Sequence, residues 1–222
     1  MAGPLDGVKI ADFTEIIAGP LAGRLLAEMG ADVIKIGPPW GEPWRLNQRF
    51  TATESRGFMV YNRGKRSLPL DLTKPESQEI LGRLIPQVDV VLANFRPDVA
   101  AKLGVDYPTL DSLNPRLVYC EVTAHGRAGP EADRPGYDMI LQAMSGLMAC
   151  ETKLDNGVPQ QIWSTPLIDT TAGFCLAWCV CGALFAREQT GKGQKVETSL
   201  LGSALALMGA RFLNVEDLDR ET

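Results

Sequence analysis

Two kinds of apolar spacing alternate along the chain. Residues 8–13, 32–36, 67–72, 89–95 and 117–123 are short, densely apolar runs that predict strands. Helical spacing lies between them. Gly19, Pro20 and Gly23 open a helix that runs through Met29 and stops at Gly30. Thr73-Lys74-Pro75-Glu76 predicts a second helix, with Thr73 as its cap, Pro75 in the first turn and an acid three residues after the cap. That helix ends near Pro86. Residues 137–149 predict one further helix, and 170–188 a long one. Residues 37–57, rich in Gly, Pro and Trp, are too irregular for a single element. Strands such as Val90-Val91-Leu92-Ala93 have no polar face, which implies cover on both sides. The fold class expected is therefore α/β, an open, mainly parallel, Rossmann-like sheet with helices on both faces. Ligands of such sheets bind beyond the carboxyl ends of the strands. The loops after Phe13, Ile36, Phe95 and Thr123 are where chemistry is expected.

Composition narrows the field. A chain of 222 residues fits one large core or two small ones. A formal net charge of -5 leaves no basic excess for phosphate backbones, so no nucleic-acid partner is expected. The opening residues lack a basic segment followed by an apolar one, and the apolar run 172–186 is short for a bilayer. These features predict a cytoplasmic protein with no membrane partner, the apolar run being a buried helix. Five cysteines, Cys120, Cys150, Cys175, Cys179 and Cys181, are an odd number in apolar surroundings and read as small hydrophobes rather than a disulfide framework. A single histidine, His125, and the lack of any Cys-x-x-Cys pair make no metal site expected.

The common chemical motifs are missing. No Gly-x-Gly-x-x-Gly follows the first strand, no phosphate-loop spacing surrounds Gly64-Lys65 or Gly191-Lys192-Gly193, and no Gly-x-Ser-x-Gly is present. What remains are polar residues at strand ends, each open to two readings. Asn94-Phe95-Arg96-Pro97 offers an amide, an aromatic face and a guanidinium to a purine nucleotide, or is a turn and helix start. Asn62, Arg63, Lys65, Arg66 and Lys74 form a phosphate site or a solvated basic face. Asp169, before Thr170-Thr171-Ala172-Gly173, is a helix cap or a nucleophile whose small neighbours admit a substrate. The same choice stands for Asp138. His125 is structural or a base; Trp40, Trp44 and Tyr61 line a pocket or fill the core.

In order, the blocks Leu5-Asp6-Gly7-Val8-Lys9-Ile10, Ala18-Gly19-Pro20, Leu26-Ala27-Glu28-Met29-Gly30-Ala31-Asp32, Asn62-Arg63-Gly64-Lys65-Arg66-Ser67, Asn94-Phe95-Arg96-Pro97, Pro135-Gly136-Tyr137-Asp138, Asp169 and Thr190-Gly191-Lys192-Gly193-Gln194 resemble the class III CoA-transferase family. That group includes formyl-CoA and carnitine CoA-transferases and the 2-methylacyl-CoA racemases. The resemblance implies transfer of CoA from an acyl-CoA donor to a small carboxylic acid through an aspartyl-CoA thioester. No permanently bound cofactor and no metal are implied, the CoA thioester being a substrate. Asp169 matches the nucleophile, with Tyr137 and Asp138 on the substrate side. Ile17 and Ala18 match the backbone along the thiol arm. Leu70, Leu72, Thr73, Asn94, Phe95 and Arg96 match the adenosine and phosphate pockets. Lys102 stands where an arginine is common. Pro38 stands where some members have a phosphate-binding arginine, so that role is either missing here or taken over by Arg45.

Two departures from the family pattern bear on function. Tyr137 stands where the racemases have a histidine base, which favours a transferase; a racemase using His125, or a CoA-binding fragment without catalysis, are the alternatives. Family members are also much longer. Residues 1–198 are thus expected to form the CoA-binding catalytic domain, and 199–222 to begin a helical linker toward an absent small domain. The apolar helix at Leu200, Leu201, Leu205, Leu207, Met208 and Phe212, and the polar segment 216–221, are expected to find their partner in a second subunit or in that absent part, as a homodimer or with a partner that supplies it.

Overall fold

The computed structural model describes residues 2–162 and 165–212, with the side chains of Pro97, Ala210 and Phe212 outside the description. In chain order the elements are β1 (Lys9–Asp12), α1 (Ala18–Glu28), β2 (Asp32–Gly37), α2 (Pro43–Leu46), α3 (Arg56–Asn62), β3 (Arg66–Pro69), α4 (Pro75–Leu84), β4 (Val90–Ala93), α5 (Pro97–Lys102), α6 (Tyr107–Leu113) and β5 (Val118–Thr123). Then come α7 (Asp138–Met144), α8 (Leu147–Cys150), a small antiparallel hairpin of β6 (Leu154–Asp155) and β7 (Val158–Pro159), α9 (Leu167–Thr190), β8 (Gln194–Ser199) and α10 (Leu200–Met208).

The main sheet has the order β3-β2-β1-β4-β5-β8, and every pairing in it is parallel. The chain works outward from β1 in one direction and then from β4 in the other. The crevice between β1 and β4 is therefore the topological switch point of an open α/β sheet. Alternate residues of one strand feed opposite cores. Val90 and Leu92 pack with Ala22 and Leu26 of α1 and with Leu176 and Val180 of α9. Val91 and Ala93 pack with Leu81 of α4 and Leu110 of α6. This two-sided burial is why β4 reads as an unbroken apolar run.

Several sequence expectations are corrected. Thr73 does not cap α4: Lys74 holds the cap position with no side-chain bond, and the Thr73 hydroxyl donates to Asp71 Oδ1 at 2.6 Å instead. The local Asx-type turn takes the hydroxyl that the cap would need. The helix expected over 137–149 is two helices, divided at Gly146, whose φ of 80° ends α7. At 24 residues α9 is long and apolar enough to cross a membrane, so a length argument against spanning does not hold. Ile168, Leu176, Val180 and Leu184 of its inner face lie in the core. Its other face, with Phe174, Trp178 and Phe185, is exposed, so it is not a fully buried helix. Cys120 is buried, whereas Cys150, Cys175, Cys179 and Cys181 are half-buried, and all five are free. The helix α10 has partners in this chain: Leu200, Ala204 and Met208 are buried against the α9 side of the sheet. Leu205 and Leu207 are exposed, while the Phe212 side chain and residues 216–221 lie outside the described residues.

Candidate active site

Two helix starts and three strand ends meet at the switch point. The loop after β1 carries Glu15, Ile16, Ile17 and Ala18, the last opening α1. The loop after β4 carries Asn94, Phe95 and Arg96, and the long connection after β5 carries Arg127, Arg134 and Tyr137. Together with Asp169 they line a cavity of about 350 Å³. The side chain of Asp169 is held at its edge by the packing of α9 on α1. A Cβ on Gly173 would come within 2.8 Å of the Ala18 carbonyl oxygen and 2.9 Å of Leu21, so only glycine permits this approach. Ala172 and Gly173 are buried in that contact. These small residues thus serve the crossing of two helices rather than the admission of substrate.

Asp169 is not the helix cap. Pro166 occupies the cap position, and Asp169 lies in the first turn. The free N–H groups of that turn are satisfied by Asp138, whose Oδ2 accepts from Ile168 N at 2.7 Å and from Asp169 N at 3.0 Å. Asp138 thereby caps α9 from the first turn of α7, a charge-assisted arrangement at a helix N-terminus. Its second oxygen accepts from the buried Gln142, whose own carbonyl oxygen accepts from Ile162 N at 2.9 Å. The carboxyl of Asp169 makes no hydrogen bond among the described residues. Burial, and the Asp138 charge beside it, push its pKa up to about 7. The two acids thus divide the readings that sequence left open. Asp138 is a cap that does not line the cavity; Asp169 is a half-buried carboxyl with free lone pairs.

The remaining expected residues are placed unevenly. Ile17, Ala18, Asn94, Phe95, Arg96 and Tyr137 line the Asp169 cavity, Tyr137 with 66% of its surface exposed. The amide of Asn94 is already committed: Oδ1 accepts from Glu15 N at 3.0 Å, and Nδ2 donates to Glu15 O at 2.9 Å. It ties the β4 loop to the β1 loop. Leu70 and Leu72 pack in the α4–α6 core, Thr73 bonds Asp71, and Lys102 is 77% exposed beside Asp98. None of these lines the Asp169 cavity. Arg45 pairs with Glu54 at 2.6 Å and lies over the Phe58 ring, lining a separate cavity of about 460 Å³ with Pro38, Trp40 and Arg49. The basic cluster is divided: Lys65 is buried, whereas Arg63, Arg66 and Lys74 are exposed. Lys65 is buried on Asp12 at 2.7 Å, Arg63 pairs with Glu28 and Arg66 with Asp32. Trp44 packs on Gly57, and Tyr61 is close enough to Asp169 to feel its charge. Both ring nitrogens of His125 are buried without a hydrogen-bond partner, behind Gly136 and off the cavity lining.

Sequence reasoning missed several groups. Arg127 lines the cavity, donates twice to Glu121 at 3.1 and 2.7 Å, and donates to the Phe95 carbonyl at 2.9 Å. Ile16 holds a φ of 74°. For a β-branched residue that left-handed conformation costs about 1–3 kcal/mol, so the surroundings must enforce it. Lys35, a lone charge within the apolar run Val33-Ile34-Lys35-Ile36, was the one visible signal of a buried polar network there.

Comparison with known proteins shows the family and the fold. The model of CoA-transferase family III matches residues 5–221. A succinate–glutarate CoA-transferase of Agrobacterium fabrum is 36% identical over 219 residues, which cover 95% of this chain and 54% of that protein. An acetyl-CoA:oxalate CoA-transferase of Acetobacter aceti is 37% identical, with 93% of this chain and 53% of that protein covered. Among solved structures, Rv3272 of Mycobacterium tuberculosis superposes with a TM-score of 0.88 at 38% identity, covering 95% of this chain and 59% of that one. The chain spans about half the length of the curated relatives it matches.

Proposed function

Because the chain belongs to CoA-transferase family III, we propose that it supplies the nucleophile and the thioester-binding wall for moving CoA from an acyl-CoA donor to a carboxylic acid acceptor. One observation carries the reading. The Asp169 carboxyl, which makes no hydrogen bond among the described residues, lines the same cavity as Ile17 and Ala18 at the start of α1. In this reading an Asp169 oxygen attacks the thioester carbonyl, the C–S bond breaks, and CoA leaves as thiolate. The enzyme then carries a mixed anhydride. The thiolate attacks the aspartyl carbonyl, the C–O bond breaks, and the donor acid leaves with its carboxylate. The acceptor acid reverses these steps on the aspartyl-CoA thioester. The energy of the thioester is kept in covalent form throughout, so neither ATP nor a bound cofactor enters the balance. The N-terminal N–H groups of α1, unpaired within the helix, favour the negative charge that develops beside them.

The substrate-side wall is formed by Tyr137 in this reading, with Asp138 acting on α9 rather than on substrate. The nucleotide side is the segment Asn94, Phe95 and Arg96, with the arginine head open to phosphate. Names of the relatives point to small dicarboxylates such as succinate, glutarate and oxalate as acids of this family; we extend to this chain only the acid class. A racemase would need a base at the substrate α-carbon, and His125, off the cavity lining, is poorly placed for it.

The test uses the chain with acetyl-CoA and with succinyl-CoA. Wild type is expected to yield a hydroxylamine-sensitive adduct on the peptide containing Asp169, and Asp169→Asn none, with CoA binding retained. In deuterated water the α-protons of a 2-methylacyl-CoA should remain. An adduct on Asp138, or rapid α-deuteration lost in His125→Ala, overturns the assignment.

A further inference from the structure

The loop between β1 and α1 is gripped from beneath by charged side chains that touch nothing in the cavity. Lys35, from β2, donates its ammonium to the Thr14 carbonyl. The same ammonium lies 2.7 Å from Glu42 Oε2, both side chains being buried. That approach is not aligned as a hydrogen bond, so Oε2 has charge contact but no donor of its own. The other Glu42 oxygen accepts from Ile16 N at 3.4 Å. Asp12 takes the Thr14 N–H at 2.9 Å, and Lys65 reaches past it to the Pro20 carbonyl at 2.9 Å. The bonds of Lys35, Glu42 and Asp12 end on the backbone of Thr14 and Ile16, and that of Lys65 on the first turn of α1. Ile16 alone in the segment has a backbone angle that an L side chain resists.

Buried ion pairs are a poor source of stability, because desolvation offsets most of their attraction. They are a good source of geometry, since each oxygen and ammonium proton has a fixed place to go. Here the geometry they enforce is a strained turn directly before Ile17 and Ala18. We infer that Lys35 and Glu42 are positioning residues, which hold Ile16 in its left-handed conformation so that Ile17 and Ala18 keep their place in the lining of the Asp169 cavity. The inference rests on the reading of that cavity as the thioester site. Without the pair, Ile16 relaxes to negative φ and the peptide planes of residues 16–18 turn away. The damage falls on binding of the thioester arm and spares the nucleotide half of the ligand.

The experiment uses the full chain and two probes, acetyl-CoA and ADP, titrated by calorimetry against wild type, Glu42→Gln, Ile16→Gly and the double variant. Glutamine keeps an acceptor for Ile16 N but removes the charge that holds Lys35. Glycine adopts a φ of 74° without strain and so has less need of the clamp. Glu42→Gln is expected to weaken acetyl-CoA about tenfold and ADP less than twofold, and Ile16→Gly to restore most of the loss in the double variant. Equal affinity of Glu42→Gln and wild type for acetyl-CoA overturns the inference. So does an equal loss of both probes that Ile16→Gly does not repair, since that is the mark of general destabilisation. If wild type binds neither probe, the thioester reading is what fails. Hydrogen exchange of the Ile17 and Ala18 amides then decides the clamp: it should quicken at least fivefold in Glu42→Gln and return toward wild type in the double variant, and unchanged exchange refutes it.

Discussion

Replacing Asp169 by Asn should make the protein more stable, by an amount that grows from about pH 4 and is complete above about pH 7. The Asp169 carboxyl is raised from 3.8 to about 7 by burial and by the neighbouring Asp138. Between those two values the native state holds a proton that the unfolded chain has released. The unfolded state binds fewer protons there, so stability falls as pH rises through the window and the cost is complete above about pH 7. That displacement corresponds to a ceiling of about 4 kcal/mol, at roughly 1.4 kcal/mol per pH unit. The carboxyl is half-buried, so water screens part of that, and about 2 kcal/mol is the figure to expect. Asparagine is nearly isosteric, carries no charge, and breaks no hydrogen bond, since the Asp169 carboxyl makes none among the described residues. For a domain of this size each kcal/mol moves Tm by about 2–4 °C. Thermal unfolding at pH 4, 6 and 8 should show Asp169→Asn within about 1 °C of wild type at pH 4 and about 4–8 °C above it at pH 8. A gap that stays constant with pH, or a variant less stable than wild type at pH 8, refutes the claim that the fold holds this carboxyl out of its preferred charge state. That claim separates Asp169, the proposed nucleophile, from Asp138, whose carboxylate is engaged on α9.

Asp138→Ala removes the acceptor for two N–H groups of α9 and should lower stability by about 1–2 kcal/mol, read by urea unfolding, while Asp138→Asn, which keeps an acceptor, should lose less than half of that. Equal losses for the two variants would show that charge, not capping, is what Asp138 supplies. The exposed apolar stripe of Phe174, Trp178 and Phe185 on α9 should make the chain self-associate. Sedimentation velocity of wild type at micromolar concentration should show dimer or larger species and Trp178→Lys mostly monomer; a monodisperse wild-type monomer refutes this.

The parts of the fold legible in sequence were those whose physics is local or whose burial is complete. Strands β1, β2, β4 and β5 are packed on both faces, so their apolar runs identify them. Strand β8, Gln-Lys-Val-Glu-Thr-Ser, pairs only with β5 at the sheet edge, and its half-buried, polar composition carries no such signal. Gly146 was visible, but a positive φ is required there by the turn between α7 and α8, which spacing alone does not reveal. At the site, residue spacing left Asp169 and Asp138 with the same pair of readings. Resemblance to a family separated Asp169; only structure separated Asp138, because its N–H partners lie about thirty positions along the chain. The tie between Asn94 and Glu15 was hidden for the same reason, since the two lie 79 residues apart in sequence.

The two aspartates show how one fold obtains different behaviour from identical side chains. An unbonded carboxyl is a better nucleophile than a solvated or hydrogen-bonded one, because its lone pairs are not already engaged, but a helix N-terminus in want of acceptors would normally engage them. Asp169 sits in the first turn of α9, where its own side chain would be drawn onto the free N–H groups. The α7 start lies against that turn, so Asp138 fills those donors first. Gln142 fixes Asp138 in turn, through a backbone bond to Ile162 that no rotation of Asp138 can supply. Among the described residues the proposed nucleophile is thus left free by satisfying its competitors rather than by binding it. On the proposed mechanism Gln142, buried and off the cavity lining, acts on Asp169 through Asp138, and the α7–α9 contact then has a functional as well as a packing role.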